Sequence, residues 1–163
     1  MPTSAYLKLD GIKGPCKVSG FEDCIEIASY SNGISQAVTT SRSSGGNPSA
    51  SGAAFHAPFT LTKTMCPASP DLKRMALKGD TFKTGTLTLT RMAGDKIFAY
   101  YKYDMKDVLI ADYQVSGGTG GIATERLSIT YSQIKDDHIA TDETGQPQGH
   151  NPTETSLITG ETS

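Results

Sequence analysis

The 163-residue sequence contains no tryptophan, only three cysteines and no long run of apolar residues. No stretch approaches the ~20 apolar residues that a transmembrane helix requires, so we expect no membrane insertion. The odd number of cysteines argues against a disulfide-rich scaffold. Because the formal net charge is only −2, the chain also lacks the basic surface typical of nucleic-acid-binding proteins.

The first residues, MPTSAYLKLDGIKG, lack the basic segment and the following apolar segment of a Sec-type signal peptide. Apolar and polar residues begin to alternate within this stretch, which indicates a strand rather than an export signal. We therefore expect the chain to be made in the cytoplasm without a Sec signal peptide.

Small hydroxyl residues are the abundant class, with 16 serines and 20 threonines beside 17 glycines. Threonine favours strands, whereas glycine and serine favour turns. At ~100–200 residues per domain, the length allows one domain. The composition therefore predicts a single β-rich domain with long loops.

Several segments alternate apolar and polar residues with the period of two that marks a half-buried strand. Asn32 and Gly33 indicate a kink within the second of them, and residues 93–95 predict a hairpin turn. The predicted strands cover residues 5–10, 24–36, 55–65, 86–91, 97–103, 107–116 and 125–131.

One short helix is predicted at about residues 69–78. Ser69 is placed to cap its start, Pro70 suits the first helical position, and Gly79 is a natural stop. Together with the strands, this predicts a mainly β fold, an antiparallel β-barrel or sandwich with one short α-helix.

We assign residues 1–135 to this β-domain and residues 136–163 to a polar, exposed C-terminal tail. Residues 39–54 read TTSRSSGGNPSASGAA, a composition that forms no core and predicts a long flexible loop. A loop of this length in a compact domain is usually a contact surface or disordered.

No arrangement typical of catalysis is present. His56, His138 and His150 have no partners at metal-ligand spacing, and no G-x-S-x-G motif accompanies the serines. The stretch GTGGIA at 118–123 matches a dinucleotide-binding fingerprint, but it leads into a strand rather than into the required helix. We therefore expect no enzymatic activity, no cofactor and no metal.

The cysteines leave two alternatives. Cys16 and Cys24 flank a turn-like stretch, so a disulfide bond between them is one of them. The other is that both, together with Cys66, are reduced thiols. We favour reduced thiols, because the chain is expected to be made in the cytoplasm.

Five motifs follow one another in order: LKLDGIKG at 7–14, EIASYSNGISQ at 26–36, LTK at 61–63 with ASPDL at 68–72, Tyr103 with DVLI at 107–110, and ERLSITYSQI at 125–134. In this order and at these separations, the sequence resembles the haemolysin-coregulated protein (Hcp) family of bacterial type VI secretion. Tyr30 and Asn32 stand where family members often carry tryptophan.

The resemblance implies a barrel like that of a phage tail tube, six copies of which form a ring. Stacked rings form a tube that a contractile sheath ejects and that shelters effector proteins. The implied partners are other copies of the chain and the type VI sheath, spike and effector proteins, with secretion through the type VI apparatus.

The resemblance also implies sites. Ser31 aligns with a channel-facing position, where a hydroxyl would give a hydrated channel surface able to hold cargo. The alternative is that Ser31 is a neutral strand residue without such a role. The long loop is expected to contact the adjacent ring through Ser41, Arg42, Ser43, Ser44, Gly45, Gly46 and Asn47.

Two other functions stay open at this point. The hydroxyl-rich loops are also compatible with a monomeric β-sandwich that binds ligands, such as a lectin or adhesin. A small hydrolase using a loop serine is the third alternative.

Overall fold

A computed structural model describes residues 3–40, 45, 48–50, 52–141, 147–157 and 162. Within these residues the chain is mainly β, as the sequence predicts. The elements, in chain order, are β1 Thr3–Leu9, β2 Ile25–Ile27, β3 Ser29–Ser31, β4 Ile34–Ser35, β5 Val38–Thr40, β6 Pro48–Ala50, β7 Phe55–His56, β8 Phe59–Thr64, α1 Ser69–Lys78, β9 Thr81–Ala93, β10 Lys96–Ser116, β11 Thr124–Thr130, β12 Gln133–Thr141 and β13 Pro147–Ser156.

The main sheet is antiparallel and closes on itself. It runs from β2 through β1, β9, β10, β11 and β8 to β3. The β2 and β3 strands are successive parts of one segment with only Ala28 between them. The first part pairs with β1 through Ile27 and Ala5, and in the second part the Ala28 amide donates to the Thr62 carbonyl of β8 at 2.7 Å. The last strand is thus continuous with the first, which makes a barrel.

Alternate side chains of the barrel strands point inward and form the core. Leu72 of α1 is also fully buried and joins this core, so the helix packs against the barrel. Burial of each such side chain contributes about 1.5–3 kcal/mol. The most deeply buried apolar residues are Leu7, Leu9, Ile25, Phe59, Leu61, Leu72, Leu87, Met105, Val108, Leu127 and Ile129.

The helix confirms the prediction for residues 69–78, but its start differs from the expected one. Ala68 occupies the capping position, and no side chain caps the helix. The Ser69 hydroxyl instead accepts the Cys66 amide at 3.0 Å and donates to Glu125 at 2.7 Å. At the other end, Gly79 takes a left-handed conformation with φ 68° and donates to the Met75 carbonyl.

Strand β10 joins two segments that the sequence analysis predicted as separate strands, 97–103 and 107–116. It is one strand because β9 pairs along it from Lys96 to Leu109, with a bulge between Ala99 and Tyr101. Asp107 accommodates the break in the apolar pattern at φ 50°, and its carboxylate accepts the Ser132 hydroxyl at 2.7 Å. Aspartate tolerates this left-handed region better than most residues.

The C-terminal segment is more ordered than the sequence predicts. In the described part of residues 136–163, β12 pairs with β10 and β13 pairs with β12. The expectation of a tail without strands is therefore wrong for these residues. The sequence signal is weak because the outer strand faces no core: backbone hydrogen bonds hold it, and its described side chains are half-buried or exposed.

Candidate functional site

Four short strands outside the barrel sheet pair with one another, and we call them the arm: β4 and β5 on one side, β6 and β7 on the other. Ile34 of β4 pairs with His56 of β7, and Val38 of β5 pairs with Ala50 of β6. These strands belong to two small sheets separate from the barrel. The predicted loop over residues 39–54 is therefore partly a hairpin.

The arm carries large apolar side chains into solvent. Ile34, Val38 and Phe55 are 63%, 58% and 63% exposed, respectively. Single exposed apolar residues are common on protein surfaces, but three on one arm are characteristic of a contact surface. The arm is therefore a candidate surface for binding another protein molecule.

The structure places two of the sequence-predicted site residues near or on this arm. Ser31 ends β3, is exposed, and lies opposite Thr60 of β8. Gly45 is exposed in a turn with φ 70°. The other residues predicted to contact the adjacent ring lie outside the described part of the chain: Ser41, Arg42, Ser43, Ser44, Gly46 and Asn47.

Cys16 and Cys24 lie on neighbouring backbone segments. The Cys16 amide donates to the Cys24 carbonyl at 3.2 Å, and the Asp23 amide donates to the Cys16 carbonyl at 3.1 Å. Both thiols are free, as is that of Cys66. Burial raises the pKa of the Cys24 thiol, which disfavours its reactive thiolate form.

Two adjoining pockets form a groove beside the start of β1. Their volumes are about 530 and 240 Å³, and Thr3 and Tyr100 line both. The larger pocket includes Arg91 and His138, and the smaller includes Tyr30. The groove exists because β2 stops pairing with β1 at Ala5, which leaves the first residues of β1 without a neighbour on that side.

A second cluster of functional groups lies inside the protein, at the entry to α1. Lys63 of β8 and Glu125 of β11 form an ion pair in which both side chains are fully buried. The Lys63 ammonium also donates to the Ser69 hydroxyl at 3.2 Å and to the Cys66 sulfur at 3.3 Å. The Tyr113 hydroxyl donates to the other oxygen of Glu125.

The electrostatics of this cluster favour an ionised Glu125. Burial by itself would raise the pKa of Glu125, but hydrogen bonds from Lys63, Tyr113 and Ser69 outweigh that effect and lower it. The pKa of Tyr113 shifts in the opposite direction. Burial raises the pKa of its phenol most, and the hydrogen bond to Glu125 raises it further.

This cluster was not predicted from the sequence, although a signal was present. Lys63 follows Phe59 and Leu61 on the inward face of β8, and Glu125 precedes Leu127 on the inward face of β11. The two residues are directly opposite in the strand register. A charged residue in each of two paired apolar faces indicates a buried ion pair, because unpaired charges are rarely buried.

The histidines do not converge. His56 Nδ1 lies 3.3 Å from the Tyr131 hydroxyl, and His150 Nδ1 lies 2.8 Å from the Asp137 carboxylate. Across the described ranges, no group of three or more His, Cys, Asp or Glu side chains could hold a metal ion. No helix in that part of the chain is long and apolar enough to cross a membrane.

Comparison with known proteins decides the family. A family model described as "Type VI secretion system effector, Hcp" matches residues 6–138. The chain belongs to the Hcp family. This confirms the resemblance seen in the five sequence motifs, and it makes the chain a type VI secretion tube or effector protein. Hcp family proteins are secreted by the type VI system and are not known as enzymes.

Solved structures share this Hcp fold. One described as a type six secretion system protein is 29% identical, with a TM-score of 0.89 and coverage of 99% of this chain and 100% of the other. An Hcp protein of Salmonella typhimurium is 22% identical, with a TM-score of 0.80 and full coverage of both chains. A type VI secretion system effector from Yersinia pestis is 16% identical, with a TM-score of 0.73 and coverage of 93% and 98%. No curated protein matches the chain.

Proposed function

We propose that the chain is a structural tube subunit of the bacterial type VI secretion system and has no catalytic activity. Six copies form a ring, and rings stack into a tube that is exported through the type VI apparatus. The tube carries or chaperones effector proteins in its channel. Its partners are further copies of itself and the sheath, spike and effector proteins of the system.

The observation that carries this proposal is the arm. Its strands pair only with one another among the described residues, and its apolar side chains are exposed in the single chain. Stacked rings need two different, complementary surfaces on each subunit. An arm outside the barrel sheet supplies one of them, because burying Ile34, Val38 and Phe55 against the next ring removes apolar surface from water.

Ser31 and the segment between β5 and β6 take different roles in this proposal. Ser31, exposed on β3, contributes a hydroxyl to a wet channel wall that holds cargo without an apolar contact. The segment between β5 and β6 contributes the ring-stacking contact through Ser41, Arg42, Ser43, Ser44, Gly45, Gly46 and Asn47.

Native mass spectrometry of the purified chain tests the ring. We expect an assembly of six times the 17.3 kDa subunit mass, and electron micrographs of the same sample should show rings. A strict monomer at every concentration would contradict the proposal. Together with stoichiometric binding of a glycan or peptide, it would favour a monomeric ligand-binding or adhesin-like module instead.

Export is tested separately in cells that carry a type VI system. We expect the chain in the culture medium of cells with an intact sheath and not in that of cells lacking the sheath gene. A cytoplasmic protein measured in the same medium controls for lysis. Equal release from both strains would refute export through the type VI apparatus.

A further inference from the structure

The contact between Lys63 and Cys66 brings a nitrogen nucleophile to an oxidisable sulfur. The Lys63 nitrogen lies 3.3 Å from the Cys66 sulfur. Lys63 is fully buried, whereas Cys66 is partly exposed. The Cys66 residue is thus partly open to a small oxidant such as hydrogen peroxide, while the Lys63 side chain is enclosed.

Among the described residues, the side-chain groups that hydrogen-bond to the Cys66 sulfur are an amine and a hydroxyl, and neither is a second thiol. Beyond Lys63, the sulfur is contacted by the Ser69 hydroxyl at 3.9 Å. An oxidised cysteine reacts with whichever nucleophile is held against it, and condensation of a sulfenic acid with nitrogen gives a sulfenamide. The geometry favours capture by nitrogen.

Glu125 makes the amine available for this reaction. An ammonium ion is not a nucleophile, so Lys63 must first lose a proton. The resting pair is ionised, and Glu125, in direct contact with Lys63, is the base that takes this proton when the amine attacks the sulfur. The transfer leaves two neutral groups in a fully buried place. Before the transfer, the Glu125 carboxylate also accepts hydrogen bonds from Ser69 and Tyr113.

We infer that Cys66 is an oxidation site at which peroxide produces a covalent sulfur–nitrogen link to Lys63. In the first step the Cys66 thiolate attacks hydrogen peroxide: a sulfur–oxygen bond forms, the oxygen–oxygen bond breaks, and hydroxide leaves. Sulfur is oxidised and peroxide is reduced.

In the second step the neutral Lys63 amine attacks the sulfur of the sulfenic acid. A sulfur–nitrogen bond forms, the sulfur–oxygen bond breaks, and water leaves with a proton from the amine. The link joins the end of β8 to the turn before α1. It does not depend on ring formation, so it stands or falls independently of the proposed function.

Peptide mass spectrometry after mild peroxide treatment of the full chain tests the inference. Trypsin cuts after Lys63 in the reduced protein and separates it from Cys66. In the linked protein, cleavage after Lys63 is lost, and the uncut peptide is lighter by two hydrogen atoms, about 2 Da. Dithiothreitol should restore both the mass and the cleavage.

Variants separate this link from other oxidation. Cys66→Ser should retain cleavage after Lys63, and Cys16→Ser should lose it as the unchanged chain does. Met65→Leu removes a neighbouring sulfur, which is 44% exposed and gains oxygen under the same treatment. Lys63→Arg keeps a buried cation that cannot become neutral, so Cys66 should remain a dimedone-reactive sulfenic acid.

The result for the wild-type chain tests the sulfur–nitrogen link whether or not Lys63→Arg folds. Loss of two hydrogens together with lost cleavage supports the link. Oxygen additions at Cys66 with normal cleavage after Lys63 would overturn it, and so would a chain that peroxide leaves unchanged at Cys66.

Discussion

Lys63 and Glu125 are two ionised side chains that the fold encloses completely. Their burial costs solvation energy, which the ion pair and the bonds from Ser69 and Tyr113 offset. The stability of the pair therefore depends on both partners being present. Removing one leaves a buried charge that nothing nearby compensates.

Glu125→Gln should be strongly destabilising for this reason. We expect the free energy of unfolding to fall by about 3 kcal/mol or more, because the Lys63 ammonium stays buried without a carboxylate. Urea denaturation followed by circular dichroism measures the loss. Glu26→Gln, an exposed position on β2, is the matched control and should change stability by less than about 0.5 kcal/mol.

Replacing both partners should recover most of that loss. Lys63→Met combined with Glu125→Leu removes both charges, and apolar replacement of a buried pair is often neutral or stabilising. A double variant as unstable as Glu125→Gln would show that the pair is held for a reason other than mutual compensation.

Acid should weaken the fold through the same carboxyl. The pKa of Glu125 is lowered in the folded state, so its contribution is fully present above the unfolded pKa of about 4.3 and is lost as pH falls through the folded value. We expect the urea concentration at the unfolding midpoint of the wild-type chain to decrease as the pH falls below about 4.5.

Comparison with Glu125→Gln isolates that effect from other carboxyls. Burial raises the pKa of Asp136, so this carboxyl makes the folded state more stable as the pH falls. Because Asp136 is present in both proteins, its effect cancels in the comparison. Parallel pH profiles for the two proteins would show that Glu125 does not titrate as argued.

At the scale of elements, how well the secondary structure could be predicted from the sequence depends on what each helix or strand packs against. Helix α1 and strand β11 were predictable because each shows one face to the core and the other to solvent. Strand β10 was divided wrongly, since its apolar pattern breaks at Asp107 while its pairing with β9 continues.

The outer strand β13 was missed altogether, and the inward positions of Lys63 and Glu125 were overlooked although the sequence indicated them. β13 rests on backbone bonds to β12, for which side chains give little signal. The positions of Lys63 and Glu125 in two apolar faces did give a signal. Their partnership required the strand register, which the sequence does not supply.

Gly14 tests how tightly the segment between β1 and β2 is packed. A Cβ atom at this position would lie 2.1 Å from the Cys24 carbonyl oxygen, so Gly14→Ala forces the two backbones apart. We expect a loss of about 1–3 kcal/mol and faster hydrogen exchange of the β2 amides. Gly118→Ala, with no heavy atom within 4 Å of the added carbon, is the control.

Equal exchange rates in β2 for both glycine variants would mean that the segment yields without disturbing the barrel. That result would assign the clash to a flexible turn and not to the seam where β1 and β2 pair.

At the scale of the whole molecule, the arm should govern association. Val38→Asp places a charge on the arm. We expect rings to persist, but the equilibrium constant for stacking one ring on the next should fall about tenfold or more. A tenfold fall corresponds to ~1.4 kcal/mol. Sedimentation and electron microscopy measure tube length. Leu77→Asp changes an even more exposed apolar residue on α1, 78% against 58% for Val38, and should leave tubes unchanged.

Loss of tubes in both variants would point to a general effect of charge on solubility. Normal tubes in Val38→Asp would remove the arm from the stacking contact.

The length of β10 has a mechanical consequence. Its 21 residues extend over a contour of about 70 Å and are bonded to β9 on one side and to β11 and β12 on the other. A load applied along this strand acts on many backbone bonds in parallel, so they must fail together rather than one after another. A protein pushed across a cell envelope would thereby resist shear along its longest strand.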